Sequence, residues 1–407
     1  MKKELYQYTI QEVSLNITAG YVDSIRRKNI TKTGCRVYDN GCIGVAGVLG
    51  EATADTWKAA EEALQDQVPY GFEPTAGNGK VRCLGTPALT EQAFLSEVED
   101  CLATLRTEHP DFVFSNKVQL ISTKERLQND VGLSYENEDS AILMELLIKH
   151  VDSVNVFDGF LSRISRTFEK EAFLQEAGRV LESFRTPAEL PTMDEMGKMP
   201  VILSSSHLLG KFVSDLNGEQ IGGGTSLFAG HLGEKLFSDD FSLVQDVSAE
   251  QYLVPFFDME GFDREANPVT FIEKGVIKQG YTHKKSAAQY NMPLTGAADC
   301  GYDGVPTLSA PPMSIVPSSR TLKELLQGQL GIWVMVASGG DYTNEGNYAA
   351  PVQLAMLTDG ERLLGRVPEC TIAGNLFELF GKDYIGVSKD QPFFGEHMLV
   401  TNMKVTT

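Results

Sequence analysis

The chain has 407 residues, 42% of them hydrophobic, and a formal net charge of −20. Length and apolar content suffice for packed cores in two or more domains, and charges interspersed with apolar residues exclude disorder. The acidic balance, broken only by the short "SIRRK" and "THKK", excludes direct nucleic-acid binding, and no apolar run reaches the roughly 18 residues of a membrane helix.

In chain order, "YQYTIQEVSLNIT" alternates with period two and predicts a half-buried strand. "CRVYDNGCIGVAG" sets Asn40-Gly41 between apolar runs, the signature of a type I′ hairpin. "TADTWKAAEEALQDQ" predicts a helix capped by Thr53, with Trp57, Ala60 and Leu64 on one face. "LTEQAFLSEVEDCLATLRTEH" predicts a second, capped by Thr90, with Phe94, Val98, Cys101, Leu102 and Leu105 as its apolar stripe. Three separate strands are expected at "DFVFSNKVQLIST", "VGLSYENE" and "AILMELLIK", then a third helix over "FEKEAFLQEAGRVLESF" capped by Thr167.

Composition then shifts. "RTPAELPTMDEMGKMP" is rich in Pro and Met and without periodicity, so residues 186–200 are expected to link an amino-terminal domain (1–185) to a carboxy-terminal one (201–407). The second part reads as strand and turn, with Lys-Gly and Asp-Gly hairpins in "FIEKGVIKQGY" and "LTDGERLLGRV". "GIWVMVAS" has the continuous apolar character of a central strand. Short helical pieces are expected around 208–216, 286–290, 322–327 and 376–380. The fold class is α+β in two domains: an α/β sandwich-like amino-terminal domain and a strand-rich, mostly antiparallel carboxy-terminal one.

The six cysteines form no C-x-x-C pair and read as reduced thiols. The start, "MKKELYQYTIQEV", lacks the apolar core of a signal peptide, so a cytoplasmic location is expected. A zincin helix needs His-Glu-x-x-His, but the closest two histidines, His207 and His231, lie 24 positions apart. His207, His231, Glu234 and His283 could ligate a metal only by converging in space. His231 and Glu234, three apart in "AGHLGEKLF", would share a face only on a helix, and the strand approach that follows weakens that premise. No G-x-S-x-G elbow is present. "TAGNGKV" and "IGGGTS" lack the spacing of phosphate loops, so no nucleotide cofactor is expected. Carboxylates cluster in "FFDMEGFDRE", where Asp258 and Glu260 would face the same side of a strand. Such a cluster could take a cation or a peptide amino terminus; the plain alternative is a solvated turn.

Several of these segments resemble one family. "VPFFDMEGFDREANPVTFIEKGVIKQGYTHKKSAAQYNMPLTGAA" is similar to the signature region of the TldD/PmbA family, in which an Asp-x-Glu-Gly element precedes a hairpin, here Phe271 to Tyr281, and a Thr-Gly, here Thr295-Gly296. "CTIAGNLFELF" resembles its carboxy-terminal Ile-Ala-Gly-Asn-Leu element, and "TSLFAGHLGEKLFSDDFSLVQD" its Gly-Glu-x-x-Phe-Ser segment. "GCRVYDNGCIGVAG" resembles the amino-terminal hairpin, so the resemblance spans nearly the whole chain. The TldD branch carries a zinc motif, His-Glu-x-x-x-His. Here that position reads "HLLGKF": His207 is present, Leu208 replaces the Glu and Phe212 the second His.

The resemblance therefore implies the PmbA (TldE) branch, without metal, cofactor or catalytic residues of its own. It implies a cytoplasmic subunit of a peptidase system that acts in peptide maturation and pairs with a zinc-bearing TldD-like subunit or with itself. Unfolded peptide is the expected substrate, with neither nucleic acid nor membrane as partner. Asp258, Glu260 and the turn Gly339, Gly340, Asp341, Tyr342 are the candidate peptide contacts, since bare glycine backbone permits close approach. An autonomous metallopeptidase using His207, His231, Glu234 and His283 is one alternative. A non-enzymatic homodimer modulating gyrase or a toxin, after the family's other name of DNA gyrase modulator, is another.

Overall fold

The computed structural model describes residues Met1–Thr407. β1 (Lys2–Thr18) and β2 (Tyr21–Asp39) form a long antiparallel hairpin, and β3 (Cys42–Leu49) turns back on β2. The turn is Asn40-Gly41, with φ of +50° and +76°, the left-handed pair a type I′ hairpin requires. α1 (Ala54–Glu62) lies over β2 and β3, and Thr53 caps it by accepting the N–H of Thr56. β4 (Gly79–Cys83) and α2 (Glu91–Glu108) follow; Thr90 caps α2, which buries its expected stripe. β5 (Phe112–Asn129), β6 (Ser134–His150), β7 (Gly159–Ser165) and α3 (Lys170–Arg185) complete this half. The sheet order is β3-β2-β1-β5-β6-β4, with β7 also on β6.

Two local expectations are corrected. "VGLSYENE" and "AILMELLIK" belong to one strand, β6, because buried polar residues where they join find partners from elsewhere in the fold: Arg82 donates to Asn137 and Arg166 to Asp139. Thr167 does not cap α3; that helix starts at Lys170 without a side-chain cap, and the Thr167 carbonyl instead accepts from Ser165.

Residues 186–197 cross to the second half, tied by Ala188 N–H to the Arg366 carbonyl. β8 (Lys198–Ser204) leads through a turn into α4 (Gly210–Asp215) and α5 (Gly218–Gly223). A small sheet joins β9 (Leu243–Gln245), β10 (Thr270–Glu273) and β11 (Val276–Ile277) with a strand at Met313–Ile315. α6 (Lys284–Tyr290) and the ribbon β12 (Ala298–Asp299) with β13 (Thr307–Leu308) precede that strand, β14 (Met313–Ile315), and α7 (Leu322–Leu326). Then come β15 (Gly331–Ala337), β16 (Asp341–Tyr342), β17 (Asn347–Thr358), β18 (Leu363–Arg366), β19 (Cys370–Asn375), α8 (Leu376–Leu379), β20 (Tyr384–Val387) and β21 (Met398–Thr406). The order β15-β8-β21-β19-β17 closes on itself, because β17 also pairs with β15; β16 hangs on β17 as an edge.

Alternation along β8 explains how the halves meet. Val201 and Leu203 face one core with Phe212, Phe228 and Phe380. Ile202 faces a second core, shared with Leu15 of β1, Phe94 of α2 and Phe173 of α3. In "GIWVMVAS", Ile332 and Val334 join the first core while Trp333 and Met335 join the second, so the run is continuous because both faces are covered. No helix is long and apolar enough to cross a membrane.

Candidate functional site

The acidic segment, Phe256 to Glu265, is a buried turn wedged between the halves, rather than a strand or a solvated loop. Phe256 and Phe257 anchor it against Tyr135 of β6, with ring centroids 5.1 and 5.7 Å away. Asp258, 3% exposed, accepts the N–H groups of Glu260 at 3.0 Å, Phe262 at 2.8 Å and Ala298 at 3.1 Å. Those bonds close the turn, and Gly261 (φ +79°) allows it, since a Cβ there would meet Leu133 at 2.8 Å. Glu260, 4% exposed, accepts from Tyr70 Oη at 2.6 Å and from the Lys284 N–H at 2.8 Å. Arg36 donates to the Met259 carbonyl, and Lys80 pairs with Asp263 and Glu265. Burial, and then the Asp258 charge, push the Glu260 carboxyl up to about 7. Burial likewise raises Asp258, opposed by the Arg264 guanidinium. Asp258 thus holds the turn within the carboxy-terminal half, while Glu260, through Tyr70, binds that turn to the amino-terminal half.

The other candidates open to solvent. Gly339, Gly340, Asp341 and Tyr342 line a cavity of ≈ 460 Å³ together with His207, Lys211 and Tyr348. His207 sits in the turn between β8 and α4, and its Nε2 lies 3.1 Å from Tyr348 Oη. Register across the hairpin sets Tyr342 opposite Tyr348, with ring centroids 4.9 Å apart, and Tyr342 Oη donates to the Leu208 carbonyl at 3.2 Å. Gly340 packs so closely that a Cβ would lie 2.6 Å from both Ala350 and the Tyr348 hydroxyl. Gly339 (φ +70°) has open space around it. The surrounding walls lower the His207 pKa and raise those of both tyrosines. Neutral imidazole, phenol hydroxyls and an unpaired strand edge offer hydrogen bonds to an extended backbone. Sequence reasoning did not join His207 and Tyr348 to this turn. The signal was Gly346, whose φ of +83° belongs to the turn that sets the hairpin register.

The zinc motif of the TldD branch does not fit these residues. Leu208 and Phe212 are both 0% exposed. The Phe212 ring packs on Phe380 at 4.8 Å, Phe241 at 5.3 Å and Phe237 at 5.4 Å. The alternative set does not assemble either. His231 lies in a tight turn, its Nδ1 2.7 Å from Glu234, with both side chains exposed. His283 caps α6 and accepts from Ser286. Nowhere do three or more His, Cys, Asp or Glu groups gather in a metal-holding arrangement.

Comparison with known structures gives the same fold over the full chain. TldE from Thermococcus kodakarensis superposes with a TM-score of 0.81 at 19% identity, covering 100% of this chain and 97% of that one. A candidate modulator of a DNA gyrase from Thermotoga maritima gives 0.78 at 18% identity, covering 100% and 96%. One from Bacteroides thetaiotaomicron gives 0.75 at 14% identity, covering 100% and 94%. A search of curated protein sequences gives no match. The family model described as the PmbA/TldA metallopeptidase C-terminal domain matches residues 196–407, more than half of the chain, and the chain therefore belongs to the PmbA/TldD family.

Proposed function

We propose that this chain is the metal-free subunit of a TldD/TldE-type peptidase system in the cytoplasm. It binds extended peptide along the β16 edge, beside His207, Tyr342 and Tyr348, and presents it to the zinc of a TldD-like partner. The observation that carries this reading is the fate of "HLLGKF". The residues at the glutamate and second histidine positions are core side chains, while His207 has turned toward a hydrogen-bonding pocket at a strand edge. Backbone pairing along an edge gives sequence-tolerant affinity, which suits an unfolded substrate. The autonomous metallopeptidase has less support, since only His231 and Glu234 of its four ligands meet, while His207 and His283 lie in other local structures with partners of their own. The test is binding of a labelled unfolded peptide to the purified chain and to Tyr348→Phe and His207→Ala. Binding by the parent and weaker binding by both variants is expected; equal binding by all three would move the peptide site elsewhere.

A further inference from the structure

A second cavity, of ≈ 460 Å³, lies between β1 and β5 on one side and the Leu253–Arg264 segment on the other. Tyr6 Oη donates to Glu125 Oε2 at 2.8 Å, which leaves the other carboxylate oxygen without a protein donor. Facing it is Arg264, 8% exposed. Arg264 is one of three buried arginines, and the other two have protein partners on both terminal nitrogens, although the Arg36 Nε has none. Arg36 pairs with Glu4 and the Met259 carbonyl. Arg82 engages Nε and both terminal nitrogens on Asn137 and the Val247 and Val254 carbonyls. Arg264 donates from Nε to the Gly296 carbonyl at 2.9 Å and from Nη1 to the Phe257 carbonyl at 3.3 Å. Its Nη2 donates to no protein group, and the guanidinium joins no ion pair. That nitrogen is left for a ligand in the cavity, and the planar fork of a guanidinium matches a carboxylate.

The remaining walls narrow the ligand class. Asp299, at the exposed rim, adds a second carboxylate to that of Glu125; the third in the lining, Asp258, is taken up by three backbone N–H groups. Two carboxylates repel phosphates and other polyanions and favour a cationic group. Phe257, Pro311 and Pro312 supply apolar surface. We propose that this cavity binds a small zwitterion of the dipeptide class, its carboxylate on Arg264 and its ammonium against Glu125 and Asp299. The volume falls within the roughly 300–1,000 Å³ usual for small-ligand sites. The site stands apart from the His207 pocket and does not depend on the peptide-presenting role.

The test is calorimetric titration of the full chain with leucyl-phenylalanine, its carboxy-terminal amide and its N-acetyl form. The free dipeptide is expected to bind, and each blocked form to bind about ten-fold more weakly or worse. Glu125→Gln keeps an acceptor for Tyr6 and should still melt as a folded protein in a single transition while weakening the dipeptide by a similar factor. Arg264→Gln should remove binding. If Arg264→Gln does not fold, the Glu125→Gln and blocked-ligand arms still decide. Absence of dipeptide binding to the parent, amide or N-acetyl binding as tight as the free form, or Glu125→Gln binding like the parent would each overturn the proposal.

Discussion

Two turns of this chain, both candidates for peptide contact, end in opposite settings in the fold. The Phe256–Glu265 turn has four acidic residues, and the two buried ones, Asp258 and Glu260, take their donors from the protein itself. The Gly339–Tyr342 turn has one acidic residue and two glycines, yet it borders open space beside an imidazole and two phenols. Clustered charge therefore marks the seam between the halves, and sparse polarity marks the accessible surface. A buried carboxylate must be saturated with donors, which removes it from binding. A strand edge with bare backbone keeps its hydrogen-bonding capacity for a partner.

Substitutions sharpen that contrast, beginning with the largest effect. Phe212→His, which restores the second imidazole of the zinc motif, removes a ring from the aromatic cluster and should cost about 3–5 kcal/mol in urea unfolding. A variant that kept full stability and bound zinc would mean that α4 can accept the motif. Asp258→Ala leaves three backbone N–H groups without their acceptor and should cost roughly 3 kcal/mol, against about 1 kcal/mol for Asp258→Asn. Equal, small losses would show that the turn is not held by this carboxylate.

A pH effect comes next. Burial raises the carboxyl of Glu260 to about 7, so the folded state holds its proton longer than the unfolded chain does. The stability this proton supports is complete below the ordinary carboxylate range and is lost as pH rises through about 7. Glu125 acts in the same direction, being raised by burial to about 7 as well. Glu260→Gln should therefore flatten the fall in stability between about pH 5 and about pH 8 by on the order of 1–3 kcal/mol. An unchanged slope would remove Glu260 from the account. The smallest stability effect belongs to the open pocket: His207→Ala should move stability by no more than about 0.5 kcal/mol and weaken peptide binding about ten-fold.

Much of the fold was legible. Asn40-Gly41, Thr53, Thr90 and the apolar stripe of α2 act through local backbone chemistry and appear as expected. The errors arose where distant contacts override local signals. The polar middle of β6 stays in the strand because Arg82 and Arg166 reach it from elsewhere, and neither pairing is encoded nearby. The same holds for the candidate site. Spacing could set Asp258 and Glu260 on one face of a strand, but only the fold brings Tyr70, Lys284 and Ala298 to them. His207 and Tyr348 lie 141 positions apart, and only the shared sheet of β8 and β17 joins them.

The central claim is that this chain contributes a peptide-holding surface but no metal. It is tested most directly by purifying the chain alone and with a His-Glu-x-x-x-His relative, then measuring zinc content and cleavage of an unfolded peptide in each sample. The account predicts no zinc and no cleavage for the chain alone, a stable complex with the relative, and cleavage by that complex that weakens with Tyr348→Phe in this chain. Stoichiometric zinc on the isolated chain, with peptide cleavage lost together with the metal in His231→Ala, would contradict it.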